Sequence, residues 1–250
     1  PFGVSGAGNI RIDKPSALQS IVRFLHKQEL AGRKVTFILE PFYEKERDFS
    51  SLFTISREGK AELTGIEWME NKGFGFSKIY PAPAPFVEAL LQKGYLEQTM
   101  LVIEALIKEG YWGPVCIDSM LLANGSIRLI VEINARHSMG FLNERMGKKL
   151  NQLSGSDRSY QLATLNVISR KESSFDTFFE ALQHTGLLYQ AKNGTGIFPL
   201  SANTWDINHT QAYSSYKKRF YYMTFYRDQE ELNLFTEKLN HLAQSLAEQN

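Results

Sequence analysis

Two apolar segments around an Asn-Gly dipeptide limit most strongly how this chain can fold. Residues 115–122 and 127–133 read as strands, and Asn124-Gly125 between them is a strong β-hairpin signal. Residues 48–57 and 60–69 predict two further strands. Helical patterns are interspersed with these strands without a regular strand–helix–strand alternation. The sequence therefore predicts an α+β fold with an antiparallel central sheet.

Hydrophobic spacing predicts the remaining elements. Helices are expected at residues 16–30 and on both sides of Gly94. The run Val35–Leu39 predicts a buried strand, whereas residues 71–85, with two glycines and three prolines, predict a loop. Later patterns predict helices at 142–152 and 175–184, a strand at 218–226 and a helix near the C-terminus.

Composition excludes several classes of protein. The chain is 43% hydrophobic, which rules out a disordered chain. Its net charge of +1 argues against dedicated nucleic-acid or polybasic membrane binding, because phosphate binding needs surplus cations. No apolar run approaches the roughly 18 residues of a membrane span. The single cysteine fits a cytoplasmic location and excludes an intrachain disulfide. We expect neither nucleic-acid nor membrane partners.

The hairpin carries a pattern of oxygen ligands. Glu132 and Asn134 are two residues apart on one strand, so they share a face, and both offer the hard oxygen ligands that suit Mg²⁺. Asp118 joins them if a three-residue loop ends in left-handed Gly125, or if a bulge has the same effect. A two-residue turn would point Asp118 to the other face, and a solvated edge hairpin without metal is also open. Arg136 continues the alternation and could stabilise a developing phosphoryl or carboxylate charge.

A glycine-rich loop at residues 3–8 precedes the first predicted helix. Its backbone N–H groups could cradle phosphate. The loop lacks the Gly-Lys-Ser/Thr of a Walker A motif and does not follow a visible strand. An ordinary glycine-rich turn is the alternative.

Taken in chain order, these segments resemble the ATP-grasp superfamily. The family shows a glycine-rich loop, a helix, a strand ending in a Glu-led hinge, and a late metal-binding hairpin. The most specific matching segments are Gly113–Asp118 and Glu132–Arg136, and the likeness covers roughly residues 1–140. It implies an incomplete lid subdomain at 1–43, a central metal-binding subdomain at 44–140 and a C-terminal α+β extension at 141–250.

The resemblance implies that nine positions bind ATP. They are Ser5, Gly6, Ala7, Gly8, Glu40, Pro41, Phe42, Tyr43 and Asp48. The first four would close over the phosphates, the hinge segment would meet the adenine, and Asp48 would lie near the ribose. Asp118, Glu132 and Asn134 would bind Mg²⁺, or Mn²⁺, and Arg136 would act near an acyl phosphate.

The family resemblance also implies an activity. An ATP- and Mg-dependent ligase would activate a small carboxylate-bearing substrate as an acyl phosphate, which an amine or similar nucleophile then attacks. An ATP-grasp phosphotransferase, a nucleotide-binding module without catalysis and an unrelated α+β protein are the alternatives. Family members carry phosphate-binding lysines before the glycine loop, where this chain has no residues. We therefore expect the chain to be the C-terminal part of a longer protein, with the missing N-terminal portion as its partner.

Overall fold

A computed structural model describes residues 10–73, 75–169, 174–206 and 216–248. The helices in these ranges are α1 (Pro15–Leu30), α2 (Ala84–Gln92), α3 (Tyr95–Lys108), α4 (Met139–Ser154), α5 (Phe175–His184), α6 (Asn203–Asp206) and α7 (Gln229–Glu248). The strands are β1 (Lys45–Ile55), β2 (Ala61–Lys72), β3 (Gly75–Pro81), β4 (Gly113–Leu122), β5 (Ile127–Asn134), β6 (Ser159–Ser169), β7 (Gly196–Pro199) and β8 (Tyr216–Tyr226). None of these helices has both the length and the apolar composition that crossing a bilayer requires.

The eight strands form one sheet in the order β5-β4-β1-β2-β3-β6-β8-β7. Every pairing between neighbouring strands is antiparallel, which confirms the predicted α+β class. The sheet continues past residue 140, because β3 pairs with β6 through Lys78 and Ala163. Strands of the predicted C-terminal extension and of the central part therefore share one backbone hydrogen-bond network. The three-part division of the chain stays a prediction.

The two faces of β1 and β4 differ in chemistry because side chains alternate along a strand. One face carries Phe49, Phe53 and Ile117, which pack among apolar side chains that include those of α2 and α3. We call the other side the polar face; it carries Asp48, Ser50 and Asp118. The covered face anchors the strands, so their polar side chains are held in a fixed register on the opposite side.

Helix α4 covers part of the same side of the sheet. A Cβ atom on Gly140 would lie 3.0 Å from Leu52 Cδ2, and one on Gly147 would lie 2.2 Å from the ring of Tyr160. Phe141 is buried with Leu52 and Cys116. The two glycines thus let the helix backbone approach the sheet closely, immediately after the segment that contains Arg136.

Two local predictions were wrong. Val35–Leu39 forms no strand, and Ile38 is 84% exposed. A strand needs a neighbour for its backbone hydrogen bonds, and no strand in the described ranges pairs with this segment. Residues 71–85 contain strand β3, which pairs with β2 and β6. Its glycine and proline stand at the two ends of the strand, where neither interrupts the pairing.

Glu67 lies on β2 beneath α4 and is 1% exposed. Asn143 Nδ2 donates a hydrogen bond to Glu67 Oε2 at 2.8 Å. Burial raises the pKa of Glu67 to about 8; the Asn143 hydrogen bond opposes this shift, and the neighbouring Glu144 charge adds to it. The native state therefore holds a proton on Glu67 at pH values where the unfolded chain has lost it.

This proton determines whether the free energy of unfolding rises or falls with pH. Because the native pKa of Glu67 is raised, its contribution to the free energy of unfolding is complete below about pH 4.5 and is lost as the pH rises towards 8. The slope is at most about 1.4 kcal/mol per pH unit for one group. We expect Glu67→Gln to flatten this slope, measured by urea denaturation between pH 5 and 8.5. Glu62→Gln, an exposed change on the same strand, should keep the wild-type slope. Equal slopes for all three proteins would contradict the assignment.

Candidate active site

The β4–β5 hairpin closes with a three-residue loop. Leu122 N–H donates to Ser126 O at 2.9 Å, and Gly125 N–H donates to Leu122 O at 2.9 Å. Gly125 has φ of +80°, in the left-handed region that favours glycine. Of the two turns considered from the sequence, the structure has the one that lets Asp118 share a face with Glu132.

A bulge then changes the pairing along the hairpin. Leu121 pairs with Ile127 and Met120 with Arg128, but Asp118 pairs with Glu132. Residues 129–131 therefore stand opposite the single residue Ser119. The three-residue loop alone predicts residue 130 opposite Asp118. The observed partner is Glu132, so the expected pairing was wrong by two residues. Directly opposite residues share a face, and the bulge moves Glu132 by about 7 Å along the strand to reach Asp118.

Hydrogen-bond donors surround the Asp118 carboxylate. Ser50 Oγ donates to Oδ1 at 2.6 Å, and Asn134 Nδ2 donates to Oδ2 at 3.1 Å. The Cys116 thiol lies 3.4 Å from Oδ1. Burial raises the pKa of Asp118; the Ser50 bond lowers it, and the charges of Glu132 and Asp48 raise it. A carboxylate crowded by other acids in this way favours a nearby positive charge.

The structure brings the three predicted metal ligands together. Asp118 and Glu132 are direct neighbours, and Asn134 contacts Asp118. The Asn134 amide oxygen accepts a 2.7 Å hydrogen bond from Arg136 Nη2, which places the predicted catalytic cation beside them. In the described ranges, no group of three or more His, Cys, Asp or Glu side chains is arranged to hold a metal ion. The present site differs in that its third predicted ligand is an amide. Two carboxylates and an amide oxygen fit Mg²⁺, which usually takes few protein ligands and completes its shell with water or phosphate.

Asp48 lies on the polar face of β1, two residues before Ser50. It is buried and its Oδ2 accepts a 2.7 Å hydrogen bond from Asn71 Nδ2, while Lys45 Nζ forms an ion pair with the same oxygen. Asp48 is thus near enough to affect the pKa of Asp118. Its expected role near a ribose stays a prediction.

The predicted adenine segment 40–43 is exposed and has no regular secondary structure. Two arginines contact its aromatic residues. The Arg11 guanidinium lies 4.0 Å from the ring centre of Phe42, and that of Arg128 on β5 lies 5.5 Å from the ring centre of Tyr43. The second contact links the hinge segment to the hairpin. The predicted phosphate loop Ser5, Gly6, Ala7 and Gly8 lies outside the described residues.

Sequence reasoning missed three side chains that hold the acids. Ser50 binds Asp118, whereas Asn71 and Lys45 bind Asp48. Ser50 follows Asp48 by two residues, so strand alternation could have placed it on the same face. Asn71 could not have been found in this way, because it lies in a segment predicted as a loop.

Ser50→Ala should raise the pKa of Asp118 further, because the hydrogen bond from Ser50 stabilises the ionised carboxylate. Carbon-13 NMR titration of the Asp118 carboxyl in metal-free buffer measures this change. Thr54→Val is the matched control, since the Thr54 hydroxyl on the same strand is buried without a hydrogen-bond partner in the described part of the chain. An unchanged or lower pKa in Ser50→Ala would contradict the role of Ser50.

Comparisons with known proteins bear on the fold. No family model matches the chain, and no curated protein matches its sequence. Among solved structures, it resembles N5-carboxyaminoimidazole synthetase from Staphylococcus aureus complexed with ADP, with a TM-score of 0.61 and 11% identity over 95% of this chain and 58% of that one. The corresponding ribonucleotide synthetase from Thermus thermophilus gives a TM-score of 0.55 and 16% identity over 94% and 58%.

An L-amino acid ligase from Bacillus licheniformis also matches, with a TM-score of 0.55 and 15% identity over 93% of this chain and 59% of that one. The chain thus spans about 60% of the length of these enzymes. Identities this low bear on the fold alone. The hairpin, the antiparallel sheet and this likeness agree, and the chain has the ATP-grasp fold that its sequence predicts.

Proposed function

We propose that this chain is the metal- and nucleotide-binding part of an ATP-dependent ligase that joins a carboxylate to an amine. The observation that carries the proposal is the direct pairing of Asp118 with Glu132, with Arg136 bonded to the adjoining Asn134. Two acids in directly paired positions, an amide bonded to one of them and a cation bonded to that amide support the proposal. Such a combination suits phosphoryl transfer, because the catalysis of that reaction depends mainly on positioning and charge neutralisation.

The proposed reaction has two steps. A carboxylate oxygen of the substrate attacks the γ-phosphorus of ATP, the bond to the β-γ bridging oxygen breaks, and ADP leaves. The amine nitrogen then attacks the acyl carbon, inorganic phosphate leaves with the acyl oxygen, and the nitrogen loses a proton. No side-chain nucleophile takes part.

Each residue of the site has a role in these steps. Asp118 and Glu132, with the Asn134 amide oxygen, would hold Mg²⁺ or Mn²⁺, which neutralises phosphate charge. Ser50 keeps Asp118 oriented through its 2.6 Å hydrogen bond. Arg136 is exposed, so its guanidinium can turn from Asn134 towards the anionic acyl phosphate.

The remaining ATP contacts follow the family pattern. Asp48 would lie near the ribose, residues 40–43 would meet the adenine, and residues 5–8 would close over the phosphates. The printed names of the similar structures include two synthetases and a ligase, and one was solved with ADP. These names support the reaction class. The carboxylate, the amine and a cytoplasmic location belong to the proposal.

Substrate dependence of ADP release tests the reaction class. We expect the full-length protein that contains this chain to release ADP from Mg·ATP only when a carboxylate and an amine are both present. The panel consists of bicarbonate and the common amino acids, each offered alone and with amine partners. Release with one substrate alone would favour a phosphotransferase. Binding of Mg·ATP without ADP release under any condition would favour a nucleotide-binding module.

Glu132→Gln tests the metal site. The change removes one ligand charge while preserving side-chain shape, so Mn²⁺ affinity and ADP release should both fall, with activity lost at least about 100-fold. Electron paramagnetic resonance of Mn²⁺ gives the affinity, and circular dichroism confirms the fold. Glu104→Gln, an exposed change on α3, is the matched control and should behave as wild type. Unchanged Mn²⁺ affinity in Glu132→Gln would refute the assigned ligand.

A further inference from the structure

We propose that Tyr95 and Ser119 are positioning residues that hold the β4–β5 bulge and thereby bring Glu132 opposite Asp118. The inference rests on the proposed function, since it concerns how the metal site is assembled. Both residues lie on the covered face, on the other side of the sheet from the carboxylates. Among the described residues, the hydrogen bonds of the two hydroxyl groups go to each other, to Ser51 and to Leu129, and not to a predicted metal ligand.

A chain of buried hydroxyl groups connects α3 to the bulge. Tyr95, the first residue of α3, is 1% exposed, and its hydroxyl is hydrogen-bonded to Ser119 Oγ at 2.8 Å and to Ser51 Oγ at 3.0 Å. Ser119 Oγ donates to the carbonyl oxygen of Leu129 at 2.6 Å. Ser119 is the residue opposite the bulge, and Leu129 is the first residue of the bulge. The chain therefore ends on the backbone at the point where the pairing changes.

Apart from the partly buried Leu129 side chain, which packs against the core cluster that contains Tyr95, the bulge has few other supports among the described residues. A bulge leaves backbone groups outside the regular ladder, and β5 is an edge strand of the described sheet, so only β4 pairs with it there. Ile130 and Val131 are 42% and 47% exposed, so their packing holds the backbone weakly. The hydroxyl chain instead satisfies the Leu129 carbonyl and ties it to the interior.

The position of Glu132 relative to Asp118 depends on the bulge. The three-residue loop would then place Ile130 opposite Asp118 and Glu132 opposite Cys116. Glu132 would move about 7 Å along the strand, whereas oxygen ligands of Mg²⁺ must all lie at about 2.1 Å from the ion. Asp118 and Glu132 would still share a face, but as diagonal neighbours instead of directly opposite ones, so their carboxylates would meet less closely. The hydroxyl chain thus selects the register in which the two carboxylates stand directly opposite each other.

The experiment compares Tyr95→Phe and Ser119→Ala with wild type in the full 250-residue chain. Mn²⁺ affinity without nucleotide is measured by electron paramagnetic resonance, and thermal unfolding is followed in parallel. We expect each variant to bind Mn²⁺ about 10-fold or more weakly, as for other groups that orient metal ligands. The double variant should be little worse than either single variant, because both changes break one connection.

Tyr111→Phe is the matched control. The Tyr111 hydroxyl donates a 2.7 Å hydrogen bond to the Pro114 carbonyl oxygen, so the change also removes a tyrosine hydroxyl bonded to β4, but away from the bulge. Its Mn²⁺ affinity should stay within twofold of wild type, even if its thermal stability falls. An equal loss of Mn²⁺ affinity in the control would show a general effect of destabilisation and would overturn the inference.

NMR provides a readout that does not need metal. Cross-strand nuclear Overhauser contacts should join Asp118 to Glu132 in wild type and should weaken or shift towards Ile130 in Tyr95→Phe and Ser119→Ala. Unchanged contacts and unchanged Mn²⁺ affinity in both variants would overturn the inference. A wild-type chain that binds no Mn²⁺ would count against the proposed function, whereas the NMR contacts would still decide the role of the hydroxyl chain.

Discussion

The site depends on the lateral pairing of β1, β4 and β5. Ser50 stands opposite Asp118, and Asp118 stands opposite Glu132, so one row of side chains crosses three strands. In an antiparallel sheet such neighbours have Cβ atoms about 5 Å apart, which lets their polar groups interact directly. Residues that are 82 positions apart in sequence, such as Ser50 and Glu132, therefore lie on either side of Asp118 in one row, because the backbone ladder aligns them. The apolar packing on the covered face keeps this ladder in place.

A buried acid and a half-buried acid on the same side of the sheet differ in how far they are covered, and this difference affects their ionisation. Glu67 lies under α4, and burial raises the pKa of its carboxyl to about 8, so it keeps its proton at neutral pH. Asp118 lies where α4 does not close the surface, beside the exposed Glu132. Its pKa is also raised, but it accepts hydrogen bonds from Ser50 and Asn134 that favour the ionised form. The sheet thus carries a neutral acid that supports packing and a pair of acids suited to a cation.

The sequence was sufficient for the features that depend on local patterns. The hairpin, the left-handed Gly125 and the shared face of Glu132 and Asn134 follow from turn chemistry and strand alternation. The bulge could not be predicted, because it depends on a contact between Ser119 and an α3 residue 24 positions away. Val35–Leu39 has the composition of a strand but no partner among the described strands. Strand β3 was missed because its terminal glycine and proline are typical of loops. Whether such residues interrupt a strand depends on where the strand ends.

The bulge in β5 also bears on how the molecule meets other molecules. An edge strand exposes unpaired backbone groups, and a regular edge of apolar residues such as Ile130, Val131 and Ile133 invites a strand from another chain to extend the sheet. Two additional residues break the repeat of donors and acceptors along this edge, so an incoming straight strand cannot match it over its whole length. The irregularity that aligns the carboxylates therefore also protects the molecule against edge-to-edge aggregation.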